Sequence, residues 1–417
     1  MVTNITLKTN HLVSFLILLF FILTPLGIYT HTQNYIVGIY IIISLIFLLF
    51  GKNNNEYIHN NIIVYLWLAY VFVSVLSTII YKRFGTNDLS GIYAEISFTF
   101  IICILTKYWD PIYFLKIFKD TILILAFIAI IGVMIKRDPF GFLKQGTPFV
   151  SIDATTNGAI STIFEFRHYY ALFLVASIIC LWNFPIKNMA INFICHIILL
   201  VNLILTNTRD AWIAFVLVLI LYIFKKKKIS ITKNKILGGF VVLVALIVML
   251  VLFSKFVNNL FGMISSRIQE VSGSQNNYGG VAGVRGYTLI NGPKYILDNW
   301  TKYLILGGGN GFAAEWLWYH PFGLLTRWTA AIDVQYVTTF MNSGILGLVL
   351  LCTILLINIK KYLMSNTPEG ITITLIVISM SIMLFFFDVI PFNNSPFVFW
   401  IICICELNTI TFKKGKF

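Results

Sequence analysis

Five clusters of this sequence hold side chains able to grip an anion, move a proton or stack on a sugar. Asn207-Thr208-Arg209-Asp210 stands between two apolar runs, where an arginine's planar, always-charged fork can take phosphate or carboxylate through two parallel hydrogen bonds. An interfacial anchor pairing Arg209 with Asp210 is the alternative use of the same residues. Val284-Arg285-Gly286-Tyr287 leads through Gly292-Pro293 and Trp300 to Gly307-Gly308-Gly309-Asn310-Gly311, and such glycines let backbone amides come close to an anion. A nucleotide-binding reading fails, because no strand precedes the run in a βαβ unit. Glu165-Phe166-Arg167-His168-Tyr169-Tyr170 gathers groups that would supply an acid or base with its own tuning charge, or simply a salt-bridged helix start.

Asp333-Val334-Gln335-Tyr336 runs into Asn342, Gly344 and Gly347, and its carboxylate suits either a base or a helix cap. Glu315-Trp316-Leu317-Trp318-Tyr319-His320, with Phe322 and Trp328, presents flat aromatic faces that fit a sugar ring or a bilayer interface, and an arm lying on the bilayer would satisfy both. There is no Asp-x-Asp, no paired acidic cluster and no His/Cys set at metal-ligand spacing, so no metal site is expected.

Membrane helices must position these clusters. Hydrophobic residues make up 59% of the 417 and charged ones only 11%, too apolar for a soluble surface of this size. Apolar runs long enough to cross a hydrocarbon layer of about 30 Å occur near 12–29, 35–50, 62–81, 92–107, 117–135, 168–184, 189–206, 211–224, 236–256, 333–358, 370–391 and 395–411. The expected fold is therefore all-α and polytopic, with about twelve transmembrane helices. Short alternating strands of an outer-membrane barrel are not seen. The first run lacks a small-x-small cleavage site and is expected to stay as a span. All six cysteines fall in apolar runs, so a disulfide framework has no support.

The net charge of +14 does not imply nucleic acid, because the basic residues sit in the short connections between runs. The Lys225–Lys228 cluster with Lys233 and Lys235 fixes the cytoplasmic side. Alternation then places Lys8, Lys52, Lys107, Lys116, Lys119, Lys187, Lys360, Lys361, Lys413, Lys414 and Lys416 inside too, with both termini cytoplasmic. The chain divides into N-terminal spans (1–135), a first outer loop (136–167), central spans (168–256), a large late outer loop (257–332) and C-terminal spans (333–417). All seven arginines (Arg83, Arg137, Arg167, Arg209, Arg267, Arg285 and Arg327) fall outside, although they took no part in setting the orientation. As a set they point to an anionic ligand bound from that side.

The interiors of the spans are expected to lack charge. Glu95, Asp210 and Asp388 are expected toward outer ends, and His196 is expected to bond a neighbouring helix. Transporters coupled to protons or ions need buried charge along a pathway, so the pattern argues against one.

From Phe164 to Leu350 the chain resembles the bacterial O-antigen and capsule repeat-unit polymerases (Wzy type) and, more distantly, the O-antigen ligases of the same superfamily. The resemblance rests on Asn207-Thr208-Arg209, on Arg285 upstream of the glycine cluster, and on Asp333 with Tyr336 and Gly344 beyond it. Ligases typically carry histidine where this chain has Asp333, which favours polymerase. Polymerases often follow that aspartate with asparagine, where Val334 stands here.

The resemblance implies a GT-C-like, multi-pass enzyme of the cytoplasmic (inner) membrane, with its site facing the periplasm and no cofactor. It would polymerise oligosaccharide units carried on undecaprenyl diphosphate, for O-antigen, capsule or exopolysaccharide. Its partners would be that lipid-linked oligosaccharide and membrane lipids, with a chain-length regulator protein a further candidate. Arg209 and Arg285, helped by Arg267 or Arg327, would hold the diphosphate. Asp333 would be the first candidate for the base, with His168 and Glu165 behind it. Tyr287, Trp316, Trp318, Trp328 and Tyr336 would contact sugar. The competing expectations are an O-antigen ligase acting on lipid A core, and a flippase or other transporter of lipid-linked glycans.

Overall fold

The computed structural model describes residues 2–51, 62–135, 139–141, 160–164, 166–226, 281–320, 332, 334–389 and 395–406. Among the described residues the regular structure is entirely helical. The helices are α1 (Val2–Tyr29), α2 (Gln33–Phe50), α3 (Ile62–Ile80), α4 (Thr86–Leu105), α5 (Pro111–Met134), α6 (Arg167–Asn183), α7 (Met189–Leu205) and α8 (Arg209–Lys226). They continue as α9 (Val281–Asp298), α10 (Trp300–Tyr303), α11 (Phe312–Tyr319), α12 (Gln335–Met364), α13 (Pro368–Met383) and α14 (Ser395–Glu406). Six of them are long and apolar enough to cross a membrane: α1 to α5 and α12. The helices α7, α13 and α14 are shorter and apolar. Each apolar run in the sequence falls on a helix except 236–256, which lies outside the described residues.

At the centre stands α6, buried without a break from Tyr169 to Leu181. A helix that is apolar on every side must be surrounded, and α6 packs against α5, α7, α8 and α13. In lipid, apolar burial does not itself drive helices together, so close packing and interhelical hydrogen bonds must do so. The packing is aromatic: the Phe173 ring meets Phe21 at 4.7 Å and Phe164 at 4.6 Å, and Phe118 stacks on Phe399 at 4.7 Å. The polar tie is Asn202 of α7, which donates to the Ala126 carbonyl of α5 and accepts from the Tyr170 hydroxyl of α6.

Several boundaries differ from the sequence expectation. Helix α5 begins at Pro111, because the Asp110 carboxylate accepts from the Ile112 and Tyr113 amides and proline suits the first helical position. Lys116 and Lys119 therefore sit on a helix and not in a connection. Lys119 is buried and donates to the Phe184 carbonyl. Helix α4 begins at Thr86, which places Glu95 midway along it, buried and hydrogen-bonded to Ser74 of α3, not at an end. His196 contacts the Asn192 carbonyl of its own helix, not a neighbouring one.

Within 257–332, the described part is helical and docked on the bundle. Helices α9 and α11 pack on α12 and share a second apolar core of Ile296, Phe312, Ala313, Trp316, Leu317, Ile332, Val334, Val337 and Met341.

Candidate active site at the helix ends

The Asn207-Thr208-Arg209-Asp210 cluster forms the turn from α7 into α8. Asn207 takes a left-handed conformation (φ 53°), which asparagine tolerates better than most residues. The Thr206 and Thr208 hydroxyls share a 2.6 Å hydrogen bond, and the Trp212 indole donates back to the Leu203 carbonyl. The turn is thereby fixed, Arg209 opens α8 half-buried, and Asp210 follows in its first turn, 3% exposed. Beside it, the Ile160 amide donates to the Leu205 carbonyl, and Thr162 also holds a positive φ of 54°. That conformation is an outlier for a β-branched residue, and such strain gathers at functional sites.

Helix α6 starts at the same end with Arg167 and His168. His168 Nδ1 lies 3.2 Å from both Asp210 carboxylate oxygens. The expected salt-bridged helix start is thus a contact between two helices. Glu165 lies outside the described residues.

The start of α12 and the end of α13 close the site's third side. The Gln335 amide donates to the Leu384 carbonyl, its side-chain oxygen accepts from the Val389 amide, and its side-chain nitrogen donates to Thr339 Oγ1. Thr338 donates to buried Asp388 at 2.8 Å. Phe387, next in chain to Asp388, sets its ring 5.8 Å from that of His168 and 5.9 Å from that of Tyr169. The N-termini of α6 and α12 thus meet around one loop, and the start of α8 joins them through the His168–Asp210 contact. Helix N-termini carry partial positive charge and unpaired amides, and favour anions. Tyr336 spends its hydroxyl on the Ser381 carbonyl and its ring on Phe385, 4.3 Å away. Gln335 and Asp388 were not singled out as site residues in the sequence; an acid inside the apolar run 370–391 was the available signal for Asp388.

Helix α9 carries Arg285 and Tyr287 across the first turns of α12. Arg285 lies one turn before Thr288, whose hydroxyl is 3.5 Å from the Ile332 carbonyl. A side chain at Gly292 would press on Val337 and Met341. Asp333, Arg267, Arg327 and Trp328 lie outside the described residues.

The glycine cluster 307–311 does something other than bind an anion. Its amides are already bonded: Gly307 to the Tyr303 carbonyl, Gly308 to Met341, Gly309 to Asn342, Asn310 to Thr78 Oγ1 and Gly311 to its neighbour's side chain. The reason is the break in α12, where Gly344 adopts φ 65°, ψ −164° and leaves carbonyls without helical partners. The loop supplies those partners. Positive φ at Gly307 and Gly344, with the two backbones in contact, admits no side chain at either position.

Arg83, between α3 and α4, anchors the same segment. It pairs with Glu315, stands 3.9 Å from Asp88 and lies 5.2 Å over the Phe312 ring. Burial lowers its pKa from the usual guanidinium value, Asp88 opposing, and arginine remains charged at any physiological pH. Trp316, expected to contact sugar, is buried, with its ring stacked between Tyr287 at 6.1 Å and His320 at 5.3 Å. Trp318 is exposed. Among the described residues, no three His, Cys, Asp or Glu side chains group so as to hold a metal ion.

Residues 194–352 match the family model described as O-antigen ligase, a segment that includes Arg209, Arg285, the glycine cluster and the start of α12. The match supports the O-antigen polymerase/ligase superfamily. Members of that superfamily are glycosyltransferase-like enzymes, and the apolar helices here accord with an integral membrane protein of this kind. No curated protein matches the chain.

Proposed function

We propose that the protein is a repeat-unit polymerase, transferring a growing glycan from polyprenyl diphosphate to a hydroxyl of a second lipid-linked unit at the outer face of the cytoplasmic membrane. The observation that carries this reading is that the family match covers both Arg209, the first residue of α8, and Arg285, on α9, the helix that packs on α12. A guanidinium fork at a helix N-terminus, as at Arg209, suits a diphosphate that gains charge as it leaves. The leaving group stores the driving force, so no nucleotide is required. A donor anchored in lipid reaches such a site sideways from the bilayer.

Polymerase is preferred to ligase because the chain has Asp333 where ligases typically carry histidine. Purified protein in lipid nanodiscs, given only lipid-linked repeat units, is expected to yield a ladder of glycan lengths. Transfer solely to a lipid A core acceptor would replace this reading with ligase. Loss of the gene is expected to leave single repeat units on the surface; if instead none reached the outer face, the protein would be a transporter.

A further inference from the structure

We propose that His168 is the base that takes the acceptor hydroxyl's proton, and that Asp210 is the positioning residue that holds the imidazole in the tautomer able to do so. The inference rests on the glycosyl-transfer reading above and names a group within its site.

An ionised carboxylate can only accept hydrogen bonds. With both Asp210 oxygens 3.2 Å from Nδ1, the proton of a neutral imidazole belongs on Nδ1. Nε2 then keeps its lone pair on the opposite edge of the ring. Exposure agrees with this polarity. The Asp210 side chain is 3% exposed and that of His168 24%, so the imidazole is the more accessible member of the pair. Phe387 flanks the ring and limits its swing.

The carboxylate is also well placed to remain charged. It occupies the first turn of α8, where the helix dipole favours an anion. A fixed anion there stabilises the imidazolium that forms when Nε2 is protonated. Successive residues point about 100° apart around a helix. Arg209 and Asp210 can therefore serve two sides of one reaction from a single helix end, Arg209 toward the leaving diphosphate and Asp210 behind the base.

In the step itself, the acceptor oxygen bonds to the anomeric carbon as that carbon's bond to the phosphate oxygen breaks. The electron pair stays on the diphosphate, the hydroxyl proton moves to Nε2, and water later removes it. No other reactant is needed.

The test uses full-length protein in nanodiscs with lipid-linked repeat units, with thermal unfolding of each variant to check that it folds. His168→Ala is expected to lower kcat by roughly 10²–10⁴-fold with donor KM little changed. His168→Gly should regain part of that rate with added imidazole, which a merely structural histidine would not. Asp210→Asn keeps the size and helix-start propensity but permits the wrong tautomer; kcat should fall on the order of 10²-fold or more, with partial recovery in Asp210→Glu. Near-normal kcat in folded His168→Ala would overturn the proposal. So would a loss expressed only in donor KM, or a base function removed by Asp333→Asn and not by His168→Ala. If the wild-type protein elongates no lipid-linked glycan at all, the glycosyl-transfer reading has failed, which is a separate result.

Discussion

Arg83 and Arg209 are the same residue type on the same expected side of the membrane, in surroundings that ask different things of them. Around Arg83, the polar groups hold the chain in place: the guanidinium to Glu315 and Asp88, the Gly308 and Gly309 amides to α12, and Asn310 to Thr78 and Asp88. Around Arg209, the starts of α8 and α6 meet through a histidine–carboxylate pair. Arginine, glycine and aromatic content alone does not separate an anchor from a ligand site. What differs here is the setting: the Arg83 region ties a loop to α12, whereas Arg209 stands at a helix start beside a histidine–carboxylate pair.

That contrast can be broken most directly at Arg209. Arg209→Ala and Arg285→Ala should each lower kcat by roughly 10²–10³-fold at normal protein level, measured as polymer formed by purified protein. Lysine should rescue poorly at both, since it keeps the charge and loses the fork; efficient rescue would remove the diphosphate clamp. In the anchor region the damage should appear in stability instead. Trp316→Ala, deleting a buried ring, should cost about 3–5 kcal/mol, read from thermal unfolding in detergent.

Gly344→Ala and Gly307→Ala should each cost about 1–3 kcal/mol in backbone strain, with further loss from the clash between the two backbones. A stable, active Gly344→Ala protein would mean that the break in α12 is not needed. Arg83→Gln should cost only about 1 kcal/mol, because Glu315 is half exposed and solvent screens the pair. Its activity should fall less than tenfold. Trp318→Ala should leave stability within about 0.5 kcal/mol, so any fall in polymer yield from that variant would report contact with glycan or bilayer.

The helices were legible in the sequence because a span needs a long apolar run, and such runs survive any detail of packing. Their starts were less so. Asp110-Pro111 is a strong start signal that a hydropathy count overlooks, and it moves α5 six residues ahead of the apolar run's own start at 117. The Asn-Thr-Arg cluster was legible as a break between two apolar runs, yet its division of labour was not. Asn207 and the threonines build the turn and Arg209 is what the turn presents. The His168–Asp210 pair spans 42 residues and depends on how α6 lies against α8, which no local pattern encodes. The glycine cluster misled for a physical reason. Glycine reports that something approaches the backbone closely, and here the visitor is another backbone.

The break at Gly344 bears on how the chain is assembled in the membrane. A helix bent there exposes carbonyls at Met341 and Asn342, and hydrocarbon offers them no partner. Their partners, the amides of Gly308 and Gly309, are synthesised about thirty residues earlier, and Thr78 and Ser77, which bond Asn310 and the Asn342 carbonyl, more than two hundred residues earlier. The loop must therefore be waiting against α3 when α12 leaves the translocation machinery, or α12 must enter straight and bend later as the loop docks. Either way, the last third of the protein cannot reach its final shape until a segment outside the spans has been handed back to them.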